Sequence, residues 1–280
     1  MTAVLQQLVD IRVVVFDVYG TLLISGSGEV GTAIDDKPEE VTTENSPHDP
    51  IRGSCLTAGL TDLRSVPTLD AIRARVEEVN RQRRFETNPQ PEVEILDIWR
   101  DAWVRCGRSD IASNPLLVAK IAAAVESRTN PTWPMPGAAE VIERLHRNEI
   151  TMGIVSNAQF YTIELLENLI SDSLPRRFDL NLCFFSNRYR ASKPGPLMFD
   201  RLAGELKRRG IPVSNTLYVG NDMLNDVMAA NRVGMKTALF AGDARSLRLR
   251  ANHSACQSIV PEVVLTSWDQ LLECLNLKHE

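Results

Sequence analysis

The sequence lacks a cysteine framework. Its five cysteines, Cys55, Cys106, Cys183, Cys256 and Cys274, are odd in number, widely spaced and free of any C-x-x-C pair. That argues against a disulfide scaffold or a structural zinc site, and it fits a reducing compartment. Long apolar runs are also missing, and none approaches the ~20 residues that a membrane span needs. No basic patch followed by an apolar stretch and a cleavage site opens the chain, so the expected location is the cytoplasm. Positive charge is not in excess. Lys and Arg total 31 against 36 Asp and Glu, a formal net charge of −5. This argues against nucleic acid or an anionic membrane as the main partner, because both favour a basic face. No internal repeat is visible.

What is present suits an α/β enzyme. The 280 residues are 44% apolar, enough for one large or two modest domains. Residues 11–16 form a nearly unbroken β-branched run, as expected of a strand buried on both faces in a parallel sheet. Residues 151–155, 180–185, 217–219 and 237–240 read the same way. A weaker strand is expected over 258–265, interrupted by Pro261. Helical patterns lie between them, over 138–147, 159–169, 196–208 and 226–233. This alternation predicts a doubly wound parallel sheet. Residues 25–132 break it. Residues 25–67 read as an irregular excursion rich in Gly, Ser, Pro and acids. Helical patterns follow over 69–85, 92–105 and 116–128. Trp99, Trp103 and Phe85 on these helices are expected in packing rather than in a pocket. The basic run Arg81-Gln82-Arg83-Arg84 reads as a solvated face.

Open α/β sheets bind ligands at the carboxyl ends of their strands. Four such ends carry polar residues here. The first is Asp17-Val18-Tyr19-Gly20-Thr21, where a carboxylate at a strand tip can act as a nucleophile. Gly20 permits a tight turn, and Thr21 can donate a hydrogen bond. The second is Ser156-Asn157, a hydroxyl and an amide ahead of a helix, able to hold an anion or simply to cap. The third is Lys193 in Ser192-Lys193-Pro194, a cation that could neutralise both nucleophile and substrate. The fourth is Gly220-Asn221-Asp222-Met223-Leu224-Asn225-Asp226, whose acids suit a hard cation such as Mg²⁺. Each end has an ordinary explanation as a turn or cap. Four of them on one sheet point to a shared site.

This ordered set resembles the haloacid dehalogenase-like hydrolase superfamily, over residues 13–240. Phe16-Asp17-Val18-Tyr19-Gly20-Thr21-Leu22 is similar to its first motif. Ser156, Lys193 and the Asp222/Asp226 segment are similar to the other three. The resemblance implies a Rossmann-like core from residues 1–24 and 131–280. It also implies a helical cap of the C1 type over 25–130, with re-entry at Pro134-Met135-Pro136-Gly137. It further implies catalysis by Asp17, Thr21, Ser156 and Lys193. Tyr19, Gly20, Ser156, Asn157 and Lys193 would contact substrate. Mg²⁺ would be held by Asp17, the Tyr19 backbone carbonyl and Asp222, with Asn221 or Asp226 as alternatives.

Two features depart from family phosphatases. Tyr19 stands where they carry a second Asp, the acid that protonates the leaving group. Asn221 follows Gly220 where many carry Asp. The leading expectation is a Mg²⁺-dependent phosphatase of a small phosphorylated metabolite. Tyr19 favours an alternative, a metal-independent 2-haloacid dehalogenase, since a halide leaves without protonation. Arg52, Arg64, Arg81, Arg83 and Arg84 are available to hold its substrate carboxylate. A third expectation is a non-catalytic binding protein on this fold. Glu29, Asp35 and Asp36 are conceivable substitutes for the missing acid. Nothing in the sequence specifies an oligomeric state.

Overall fold

The computed structural model describes residues 1–26, 49–171 and 173–277. In chain order the strands are β1 (Val13–Phe16), β2 (Leu23–Ser25), β3 (Thr132–Pro134), β4 (Thr151–Ser156), β5 (Cys183–Phe185), β6 (Thr216–Gly220), β7 (Lys236–Phe240) and β8 (Val263–Leu265). Six of them form one parallel sheet in the order β5-β4-β1-β6-β7-β8. β1 is central because its four residues are all apolar and all buried. From β1 the chain fills one side of the sheet with β4 and β5. It then returns to the other side for β6, β7 and β8. The order reverses beside β1, and a doubly wound sheet opens its ligand crevice at such a point.

The helices are α1 (Pro50–Thr57), α2 (Leu69–Arg83), α3 (Ile95–Arg105), α4 (Ser109–Ala112), α5 (Pro115–Thr129), α6 (Ala138–Arg147), α7 (Thr162–Leu169), α8 (Leu174–Arg177), α9 (Ser186–Tyr189), α10 (Leu197–Arg208), α11 (Ala229–Arg232) and α12 (Trp268–Cys274). One face of the sheet, including Val14, Phe16 and Val219, packs on α6, α7 and α12. The other face, including Val13, Val15 and Tyr218, packs on α10 and α11. The insertion carries its own core on α1, α2, α3, α4 and α5, built around Ile51, Val76, Trp99, Trp103 and Ile121. Thr68 caps α2 by accepting from Ala71 N, and Asn114 caps α5 with Pro115 at its first turn.

The expected elements largely form. Trp99 and Trp103 are buried in the insertion's core, and Arg81, Gln82, Arg83 and Arg84 are exposed. Three differences are informative. β2 and β3 pair antiparallel, Leu23 with Pro134 and Ser25 with Thr132, so the chain leaves and re-enters the core domain side by side. The helix expected over 226–233 begins earlier, as a π-helical turn at Met223–Met228. Such turns concentrate at functional sites. The weak strand expected over 258–265 shortens to Val263–Leu265, beyond Pro261, which has no N–H to give to a ladder. No described helix is long and apolar enough to cross a membrane.

Candidate active site

The three central strands run parallel and side by side to their carboxyl ends. Phe16 pairs with Ile154 on one side and Val219 on the other. Asp17 N continues the ladder to Val219 O at 2.9 Å. The chain then turns sharply. Gly20 has φ +81°, and a Cβ there would collide with the Asn221 side chain and lie 2.7 Å from Ser246 Cβ. A glycine is needed both for the left-handed backbone and for the close approach of the two loops.

The Asp17 carboxylate is 90% enclosed and lies at the centre of a small buried set. Ser156 Oγ donates to Asp17 Oδ1 at 2.8 Å, and Lys193 Nζ donates to the same oxygen at 2.7 Å. Among the described residues, every hydrogen bond received by this carboxylate falls on Oδ1. Oδ2 accepts from none of them. Lys193 also donates to Asp226 Oδ1 at 2.5 Å and to the Tyr218 hydroxyl at 3.1 Å, which uses all three of its protons. Its loop is fixed from behind, since Asn157 Oδ1 accepts from Lys193 N at 2.7 Å.

One lysine thus faces two buried carboxylates. Burial opposes its charge most strongly, but the charges and hydrogen bonds of Asp17 and Asp226 more than offset this, and its pKa is raised. Burial raises Asp226 to about 7, against the pull of Lys193, with Asp17 and Asp222 adding to the rise. The Tyr218 hydroxyl, 2.7 Å from Val155 O and 3.2 Å from Asp226 Oδ1, is raised by burial as well. The set thus brings one cation against two carboxyl groups, with burial holding the Asp226 pKa above the usual carboxylate range.

The other expected site residues divide. Thr21 is fully buried, and it donates to Asn221 Oδ1 at 3.3 Å rather than towards Asp17. Asn221 also donates to Ser246 O at 2.5 Å. The Tyr19 hydroxyl shares a 2.9 Å hydrogen bond with Thr162 Oγ1, and burial raises its pKa. Asp222 turns to Arg250, which donates to both of its oxygens at 2.6 to 3.2 Å. The same carboxylate caps the π-helical turn through Leu224 N and Asn225 N. The structure therefore joins Asp17, Ser156, Asn157, Lys193 and Asp226 and keeps Asp222 on a separate partner. Glu29, Asp35 and Asp36 lie outside the described residues.

Magnesium asks for several oxygen donors in near-octahedral array. Of the acids expected to supply them, Asp226 is bound to Lys193 and Asp222 to Arg250. What remains is one oxygen of Asp17, the Tyr19 carbonyl and the neutral Asn221. Among the described residues no group of three or more His, Cys, Asp or Glu could hold a metal ion. In this arrangement the donor set does not fit Mg²⁺.

Two site residues escaped the sequence reading. Tyr218 sits inside β6, where its alternation reads as core, and Arg250 lies 28 residues beyond its partner Asp222. Neither position carries a local pattern that marks it.

No curated protein matches the chain. Among solved structures it is similar to a 2-haloacid dehalogenase from Pseudomonas syringae pv. Tomato DC3000, at 16% identity and a TM-score of 0.57, covering 95% of this chain and 98% of that one. It is similar to a HAD phosphatase from Thermococcus onnurineus at 16% identity and a TM-score of 0.50, covering 96% and 99%. It is also similar to YfnB of Bacillus subtilis, described as a putative HAD-hydrolase bound to magnesium, at 16% identity and a TM-score of 0.50, covering 95% and 99%. Identities this low speak for the shared fold. A family model matches residues 11–234, a span that contains all four strand ends, and the chain belongs to the haloacid dehalogenase-like hydrolases.

Proposed function

We propose that this protein is a metal-independent hydrolase that displaces halide from a short 2-haloacid, with Asp17 as nucleophile. One observation carries the choice between the family's chemistries. The position two residues past Asp17 holds Tyr19, whose hydroxyl is tied to Thr162 and raised by burial. No carboxylic acid stands there to protonate a leaving oxygen. A phosphate ester needs such an acid, and a halide does not. Two further observations agree. Asp222 and Asp226 are held by Arg250 and Lys193, and among the structural neighbours is a protein described as a 2-haloacid dehalogenase.

In this reading Asp17 Oδ2 attacks C2 of the substrate. The new C–O bond forms as the C–X bond breaks, and the halide leaves with the electron pair. Lys193 and Ser156 hold Oδ1, so the attacking oxygen is aimed and the carboxylate cannot rotate away. Water then attacks the ester carbonyl of Asp17, expelling the 2-hydroxy acid and regenerating the carboxylate. One proton is released overall. That proton passes to bulk water, and Lys193 keeps Asp17 Oδ1 in place throughout. Tyr19, Gly20 and Asn157 shape the wall around the reacting carbon.

The test is halide release from 2-chloropropionate in the presence of a chelator, with Asp17→Asn as control. Release that the substitution abolishes supports the reading. Phosphate release from an ester panel, dependent on added Mg²⁺ and with no halide release, would replace it with the phosphatase reading. Saturable ligand binding without either product would favour a non-catalytic protein.

A further inference from the structure

Residues 88–94 lead into α3 and lie against the core loop that ends at Lys193. Glu92 N donates to Arg190 O at 3.1 Å, and Ser192 N donates to Gln90 O at 2.8 Å. Pro91 and Ala191 form an antiparallel bridge. Asn88 Nδ2 adds a bond to Arg190 O at 3.1 Å. Lys193 is the next residue after this paired stretch.

The side chains of this seam reach a second loop. Glu92 Oε2 accepts from Ser186 Oγ at 2.9 Å, and Ser186 Oγ in turn accepts from Ala158 N at 2.9 Å. Glu92 Oε1 accepts from Gln159 Nε2 at 3.4 Å and from Val93 N at 2.9 Å. Gln159 closes the circuit by accepting from Ile95 N at 2.9 Å and donating to Val93 O at 3.1 Å. Ala158 and Gln159 follow Ser156-Asn157, and Ser186 begins the segment that runs to Lys193. Glu92, on the inserted region, is thus bonded to both core loops that supply Asp17 with its partners.

We propose that Glu92 is a positioning residue. Through Ser186 and Gln159 it holds the Ser156-Asn157 loop and the Lys193 loop at the separation that lets Ser156 and Lys193 meet on Asp17 Oδ1. The role of those partners rests on the reading above; the mechanical coupling does not. Acceptors that serve several donors are costly to remove, because each donor then loses its partner. The Glu92 carboxyl is itself raised by burial, with Glu94 adding to the rise and Arg190 opposing it. Glu92→Gln keeps one oxygen to accept from Gln159 and Val93, and its amide can donate to Ser186 Oγ while Ser186 donates to Ala158 O, 3.3 Å away, so it should serve nearly as well as the native side chain.

The experiment compares Glu92→Ala, Glu92→Gln and Asn187→Ala. Asn187 ties the same seam, donating to Glu94 Oε2 at 2.8 Å, and among the described residues makes no hydrogen bond to the first loop. Amide hydrogen exchange is followed in peptides covering 156–160 and 186–193, and halide release is measured in parallel. Glu92→Ala is expected to speed exchange about tenfold in both loops, as loss of one or two buried hydrogen bonds predicts. Its kcat falls while KM changes little, and Glu92→Gln remains close to the native protein in both measures. Asn187→Ala leaves the 156–160 peptide unchanged. Should Glu92→Ala prove unstable, Ser186→Ala, which cuts the Glu92–Ser186–Ala158 link and leaves Gln159 bonded to Glu92, is expected to loosen 156–160. Faster exchange confined to 85–97 in Glu92→Ala, or unchanged exchange at 156–160 in both Glu92→Ala and Ser186→Ala, would overturn the proposal. The exchange measurement needs no substrate, so a protein that releases no halide still tests the coupling.

Discussion

Lys193 is the residue on which the buried site balances. Its ammonium faces Asp17 and Asp226 at 2.7 and 2.5 Å with its side chain 97% enclosed. Replacing it with Met leaves two buried acids without a cation. Urea unfolding should show a loss of about 3–5 kcal/mol, the usual cost of stranding a buried charge. Adding Asp226→Asn should return part of that loss, since one acid is then neutral. Asp226 itself predicts a pH dependence. Its folded pKa is raised from 3.8 to about 7, so the native state holds a proton that the unfolded chain releases. Its contribution to stability is full below about 4 and fades as pH rises through about 7. Urea midpoints should fall across that window, and Asp226→Asn should flatten the slope. Arg250 makes a different prediction. It holds Asp222 by three contacts of 2.6 to 3.2 Å. Arg250→Met should free that acid and tighten Mg²⁺ binding by calorimetry relative to the native protein. Unchanged affinity would show that Arg250 is not what withholds Asp222. At this scale the sequence was legible for residues placed by strand ends. Asp17, Ser156 and Asn157 stand where buried strands stop, and Lys193 stands in the loop beyond β5 and α9. It was not legible for Asp222 against Asp226, because a turn-capping carboxylate and one aimed at a site share the same neighbours in sequence. Only the distant Arg250 separates them.

At the scale of elements, the strands of the core sheet were readable because each is a short, mainly apolar and mainly buried run. β1 and β6 are buried along their whole length. The helices of the insertion were readable from period alone, as α2, α3 and α5 show. The β2–β3 pairing was not, since each strand has three residues and they meet across more than a hundred positions. The π-helical turn at Met223–Met228 also escaped, because its pattern differs little from that of an α-helix. The insertion's separate core carries its own prediction. Trp103 is fully buried among Ile51, Trp99 and Ile121. Trp103→Ala should cost about 3–5 kcal/mol. The loss should appear first as faster exchange in α1, α3 and α5, with the strands of the core sheet still protected.

For the whole molecule, two cores share one catalytic arrangement. The core sheet brings the strand ends together, and the insertion is bonded to the loops that hang from them through Glu92, Asn88 and the side chain of Arg190 on Asp97. The sheet topology follows from the alternation of strand and helix, and the sequence showed it. The coupling across the seam did not show, because Glu92 reads in isolation as one more acid before a helix. The role of Asp17 is tested by a single turnover in water labelled with heavy oxygen. With enzyme in excess over 2-chloropropionate, the account predicts that the product of the first turnover carries unlabelled oxygen, taken from the Asp17 carboxylate. The peptide containing Asp17 then gains the label from water. Label entering the product directly on the first turnover, with the Asp17 peptide unlabelled, would contradict the account, because water rather than the carboxylate would have attacked the substrate.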